Sequence, residues 1–176
     1  MNRRLDRTDI HSLLMDLASE LERQGATADV FLVGGAAMTV AYDSRRSTRD
    51  LDAVFAPSSV VRAAVAAVAE RRGLASDWLN DAVKGFLPGH DADASIYFSS
   101  PSLRVDVASP RYLLAMKLFA SRVEADTDDI RLLYRVLGLT TVDEGLEILT
   151  AAYPTRPIPP KVQHLLEEVV ASLPSR

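Results

Sequence analysis

Two aspartates one residue apart, Asp50 and Asp52, stand in the run Asp50-Leu51-Asp52-Ala53-Val54-Phe55. In an extended strand alternate side chains share a face. The two carboxylates then point the same way, with Cα atoms roughly 6.5–7 Å apart, while Leu51, Ala53 and Phe55 turn to a core. Such a pair suits a hard divalent cation, Mg²⁺ (or Mn²⁺), which one or two carboxylates hold together with substrate phosphates. Two such ions about 3.5–4 Å apart serve phosphoryl and nucleotidyl transfer. Asp106, between Val105 and Val107, is the candidate third metal ligand, because an acid inside an apolar strand is costly unless it meets solvent, a partner or a metal. Ahead of these acids lies Gly34-Gly35. Without Cβ atoms the backbone can approach a triphosphate, and the N–H groups opening the next helix attract anions. The pair matches neither the Walker A nor the dinucleotide-binding glycine pattern, and alone it reads equally well as a tight turn. Arg45, Arg46 and Arg49 adjoin the acids and could steer an NTP or an RNA phosphate.

These residues need elements to hold them. Thr8 is the expected N-cap of a first helix with Ile10, Leu13, Leu14, Leu17 and Leu21 on one face, stopped by Gly25. Val30-Phe31-Leu32-Val33 reads as a strand leading through the glycines into a helix over Ala36–Tyr42. Asp50–Phe55 reads as a second strand closed by Pro57. Ser58 is expected to cap a helix to about Arg72, and Ser76 a short helix around Trp78-Leu79-Asn80, with Trp78 as a core anchor. Ala94–Phe98 and Leu103–Val107 read as a hairpin. Ser109-Pro110 opens a helix to about Arg122, Asp126 caps Thr127–Leu137, and Thr141 with Glu144 spells a capping box. A Pro-rich hinge at Pro154–Pro160 precedes a last helix through Val170. The pattern predicts an α/β (α+β) fold, a small mixed sheet with flanking helices. It predicts one domain over residues 1–176, with a core at about 28–108 and a helical portion at about 109–176.

Composition narrows the chemistry further. The 176 residues are 48% hydrophobic and 25% charged, enough apolar content for a core and far from the signature of disorder. There are 20 Lys+Arg against 24 Asp+Glu, a net charge of −4, so a nucleic-acid partner would have to find a local basic patch. With 0 cysteines, thiolate zinc sites, disulfides and cysteine nucleophiles are excluded. His11, His90 and His164 lack metal-ligand spacing. The basic start, Met1–Arg7, runs into an acid-bearing amphipathic stretch instead of an apolar signal core, and no run is long enough to span a bilayer. The expectation is a cytoplasmic protein with no membrane partner.

The run Val33-Gly34-Gly35-Ala36-Ala37, followed by Arg46-x-Thr48-x-Asp50-x-Asp52, resembles the Gly-Gly (or Gly-Ser) and Asp-x-Asp signature of the DNA polymerase β-like nucleotidyltransferase superfamily. Its Arg-x-Thr-x-Asp-x-Asp form is similar to the small MenT/AbiE-toxin-like nucleotidyltransferases of toxin–antitoxin modules. Tyr112–Leu118 with Lys117, then Arg122 and Asp126-x-x-Asp129-Ile130, resembles that group's helical Lys and Asp motif, so the likeness spans about Val30–Leu133. The resemblance implies binding of an NTP with Mg²⁺ and transfer of a nucleoside monophosphate, in characterised relatives often to the 3′ end of tRNA. It implies that Gly34, Gly35, Arg46 and Thr48 bind the nucleotide and that Asp50 and Asp52 hold the metal. Lys117 would neutralise phosphate charge, and Asp129 would organise or activate the acceptor. A cognate antitoxin protein is the partner it suggests.

Bland readings stand beside these. Lys117 can snorkel beside the apolar Leu113/Leu114 face, and Asp126 and Asp129 can serve a helix N-terminus whatever the chemistry. The leading expectation is a Mg²⁺-dependent nucleotidyltransferase acting on tRNA or another RNA. The alternatives are the same transfer to a protein or antibiotic hydroxyl, and an inactive nucleotidyltransferase fold serving as a binding or antitoxin-like module.

Overall fold

A computed structural model describes residues 4–43, 46–120 and 123–174, side chains 123–125 excepted. The chain divides into two units, Met1–Gly85 with Asp93–Ala108, and Phe86–Ala92 with Ser109–Arg176.

The first unit is built on alternation. Strands β1 (Ala28–Leu32), β2 (Leu51–Ala56) and β5 (Leu103–Val107) each bury every second residue, the signature of a sheet with one covered face. With β3 (Leu79–Asn80) and β4 (Ser95–Ser99) they form a five-stranded mixed sheet in the order β3-β2-β1-β5-β4. β1 runs antiparallel to β2 and parallel to β5, and Val30 lies in register with Phe55 on one side and Val105 on the other. These three side chains join the core that helices α1 (Arg7–Arg23) and α3 (Ser58–Arg72) cover with Leu13, Leu14, Leu17, Val61, Val65 and Val68. Between β1 and β2 the chain turns through α2 (Gly34–Ala37) and a π-helical turn over Met38–Tyr42. Glu20 of α1 is buried yet charged: Arg23 of its own helix, Gln24 at that helix's C-cap and Arg71 of α3 all donate to it. The Arg23 hydrogen bond, then that of Gln24, outweigh desolvation and lower its pKa from 4.5 to about 2.

The second unit contains helices α4 (Pro110–Ala120), α5 (Val123–Leu137), α6 (Val142–Ala152) and α7 (Pro160–Ala171). Leu113, Leu118, Leu133, Tyr134, Leu149 and Leu166 are buried in it. No helix among the described residues is long and apolar enough to cross a membrane.

The α/β fold and its helical C-terminal part follow the sequence reading, and several element ends do not. Asp6, not Thr8, caps α1, through a reciprocal box with Asp9. Ser58 lies inside α3 and Pro57 is the cap residue. Residues 79–80 pair as a strand, so the short helix expected around Trp78-Leu79-Asn80 does not form: Leu51 N–H donates to the Trp78 carbonyl and draws this segment along β2. α5 begins at Val123, which places Asp126 within the helix and not at its cap. Thr141 and Glu144 do form the expected capping box, and Ser109 Oγ accepts from Tyr112 N–H at the start of α4. The end expected at Arg122 lies outside the described residues.

Candidate active site

Strand β2 starts at Leu51, so Asp50 occupies the bend just before it and Asp52 the second strand position. The sequence pattern alone puts both acids on the strand. The difference has a local cause: Thr48 Oγ1 donates to the Asp50 carbonyl at 2.9 Å and holds the residues before β2 in a turn. Both acids are half-buried.

The diglycine and Asp52 meet directly. Gly34 has φ +57°, and a Cβ there would stand 3.1 Å from Asp52 Oδ2. A side chain at Gly34 would therefore be strained and would press on the carboxylate. A Cβ at Gly35 would stand 3.0 Å from Thr48 Oγ1. Val33 N–H donates to the Asp52 carbonyl at 3.0 Å, which fixes the end of β1 against the start of β2. The loop carrying Thr48 is held from the N-terminal side. Leu5 and Thr48 exchange backbone hydrogen bonds of 2.7 and 2.9 Å, and Arg4 donates to both the hydroxyl and the carbonyl of Ser47. Arg46 Nε lies 3.3 Å from Asp43 Oδ2. Arg45 lies outside the described residues, and Arg49 is exposed.

On the other flank, Asn80 of β3 is in register with Asp52, and its Nδ2 donates to Asp50 Oδ2 at 3.2 Å. The sequence pattern places Asn80 on a short helix and gives no sign of this contact. A two-residue strand has no periodicity to reveal it.

Asp106 shares the half-open face of the sheet with Asp52 but belongs to β5, on the far side of β1 and in register with Phe31. Two strand spacings, about 10 Å, separate β5 from β2. The Asp106 carboxylate receives Arg104 Nε at 3.2 and 3.1 Å. Among the described residues no group of three or more His, Cys, Asp or Glu is arranged to hold a metal ion. Asp50 and Asp52 offer two hard carboxylates, a donor type that fits Mg²⁺ or Mn²⁺ completed by substrate phosphates and water and does not fit a metal enclosed by protein alone.

In the helical unit Lys117 is buried, with Nζ 2.7 Å from Asp126 Oδ1 and 2.6 Å from Asp129 Oδ2. Both acids are buried as well, and their i, i+3 spacing puts them on one face of α5 toward α4. The motif residues Lys117, Asp126 and Asp129 are therefore gathered into one ionic cluster, while Asp128 is exposed and pairs with Arg131.

No curated protein and no solved structure matched this chain. A family model described as a nucleotidyltransferase of unknown function (DUF6036) matches residues 11–147, more than three quarters of the sequence. That span includes the diglycine, both aspartates, Asn80 and the Lys117 cluster, and the chain accordingly belongs to this nucleotidyltransferase family.

Proposed function

We propose that the protein transfers a nucleoside monophosphate from an NTP, with Mg²⁺, to an RNA 3′ end, most specifically that of tRNA, and that it acts as the toxin of a toxin–antitoxin pair. The observation that carries the transfer chemistry is the seating of the Asp52 carboxylate against the side-chain-free Gly34, with Asp50 immediately before β2. RNA as the acceptor and the toxin role rest on the sequence resemblance.

Asp50 and Asp52 would hold the divalent ion, which supplies charge neutralisation at the phosphates and polarises them toward attack. Gly34 and Gly35 keep the space beside Asp52 clear, so that backbone rather than side chain faces the triphosphate. Thr48 holds Asp50 in its turn. An acceptor hydroxyl attacks the α-phosphorus, a new P–O bond forms to the acceptor as the hydroxyl proton passes to solvent, and the bond to the β-phosphate oxygen breaks as pyrophosphate leaves. The contribution of the chain is mainly positioning and charge. Asp126 and Asp129 orient the Lys117 ammonium in the helical unit, the role on which phosphate neutralisation by Lys117 and acceptor activation by Asp129 would depend.

The test is to incubate the purified protein with Mg²⁺ and each α-labelled NTP in three arms: total RNA, a protein extract and aminoglycosides. Label confined to RNA 3′ ends supports the reading. Label on protein or antibiotic replaces the acceptor, and label in no arm removes the transfer chemistry.

A further inference from the structure

Asn80 is held at every polar atom of its side chain. Its Oδ1 accepts the Ala82 N–H at 3.1 Å, and this fixes which end of the amide is which, because a flipped amide would set NH₂ against N–H. The Nδ2 that remains points to Asp50 Oδ2 at 3.2 Å and to the Asp77 carbonyl at 3.4 Å. The backbone beneath it is equally fixed. Asn80 is the in-register partner of Asp52. On one side of it, the buried Trp78 donates Nε1–H to the Val65 carbonyl of α3 at 3.1 Å. On the other, Arg62 of α3 donates to both oxygens of Asp81 at 2.9 Å. A short strand pinned to a helix at both ends thus delivers one neutral donor to one of the two carboxylates.

We propose that Asn80 is the positioning residue of the divalent-ion site: its amide holds one oxygen of Asp50 and so fixes the carboxylate that, with Asp52, would take the ion. This rests on the assignment of Asp50 and Asp52 as the metal-holding pair. The choice of amide over acid has a physical consequence. A carboxylate at this position would set a third negative charge against Asp50, whereas the amide orients Asp50 without changing the charge of the site.

The experiment measures Mn²⁺ binding to the full chain by the loss of the free-ion electron paramagnetic resonance signal, for wild type, Asn80→Ala and Asn80→Asp. The emission of Trp78, the 1 tryptophan in the chain, checks that β3 stays docked on α3. Asn80→Ala should weaken Mn²⁺ by about 10-fold or more, the size of effect expected when a ligand loses its outer partner. Asn80→Asp keeps an oxygen for Ala82 N–H but has no donor for Asp50, so it loses the same positioning contact while adding charge, and its Mn²⁺ affinity should exceed that of Asn80→Ala. Weaker binding by Asn80→Ala with unchanged Trp78 emission supports the proposal. Wild-type affinity in Asn80→Ala overturns it while leaving the metal pair intact. Absence of Mn²⁺ binding by the wild-type protein overturns the metal assignment and this proposal with it.

Discussion

Replacing Gly34 by alanine tests the joint between the diglycine and Asp52. At φ +57° an L-residue carries about 1–2 kcal/mol of strain, and the new Cβ would also stand 3.1 Å from Asp52 Oδ2, a contact the carboxylate has to relieve by moving. Gly73 separates the two effects. It has φ +64° at the end of α3, with nothing within 4 Å of where a Cβ would stand, so Gly73→Ala carries the strain without the contact. Both variants should lose about 1–2 kcal/mol in urea unfolding, which corresponds to roughly 2–4 °C of Tm per kcal/mol for a chain of this size. Only Gly34→Ala should also lose affinity for Mn²⁺ with a non-hydrolysable NTP analogue, by about 10-fold or more. Equal affinities in Gly34→Ala and Gly73→Ala would show that the approach of Gly34 to Asp52 has no bearing on the site.

Other regions of the fold yield further tests. Lys117→Met would strand Asp126 and Asp129 in the interior of the helical unit; breaking a buried ion pair from one side costs about 3–5 kcal/mol, and adding Asp126→Asn and Asp129→Asn should recover most of it in urea unfolding. Glu20 titrates at about 2 in the folded chain against 4.5 ordinarily, so its stabilising contribution is complete above pH 4.5 and lost as pH falls toward 2. Glu20→Gln should flatten that part of the stability–pH curve, and an unchanged acid limb would count against the arginine clamp. Arg4→Ala removes two hydrogen bonds to Ser47 at an exposed position and should cost under about 1 kcal/mol globally. It should nonetheless speed hydrogen exchange at the Thr48 amide, which donates to the Leu5 carbonyl; unchanged exchange would show that the loop is held some other way.

What can be read from the chain alone divides along a physical line. β1 is legible as a short β-branched and aromatic run, β5 because its alternate apolar residues face a covered side, and the Thr141/Glu144 box because capping is decided within one turn. The diglycine and the aspartate pair are legible as residue types, yet their contact depends on the pairing of β1 with β2. Asn80 escapes notice as a partner of Asp50 because its strand exists only through pairing with β2. The start of α5 is hidden for a related reason. Asp126 has the composition of a cap, but Lys117 on another helix takes its charge. Asp106 shares a sheet face with Asp52, as strand alternation suggests, and the strand order sets it on the far side of β1, beside Arg104.

Whether Asp52 carries the transfer is tested most directly by comparing wild type, Gly73→Ala and Asp52→Asn for the rate of label transfer from an α-labelled NTP to acceptor RNA in Mg²⁺. Gly73→Ala should react at the wild-type rate, and Asp52→Asn should fall by about 10²–10³-fold or more, the scale on which transition-state charge stabilisation is lost. Transfer by Asp52→Asn at the wild-type rate would remove Asp52 from the metal-holding pair.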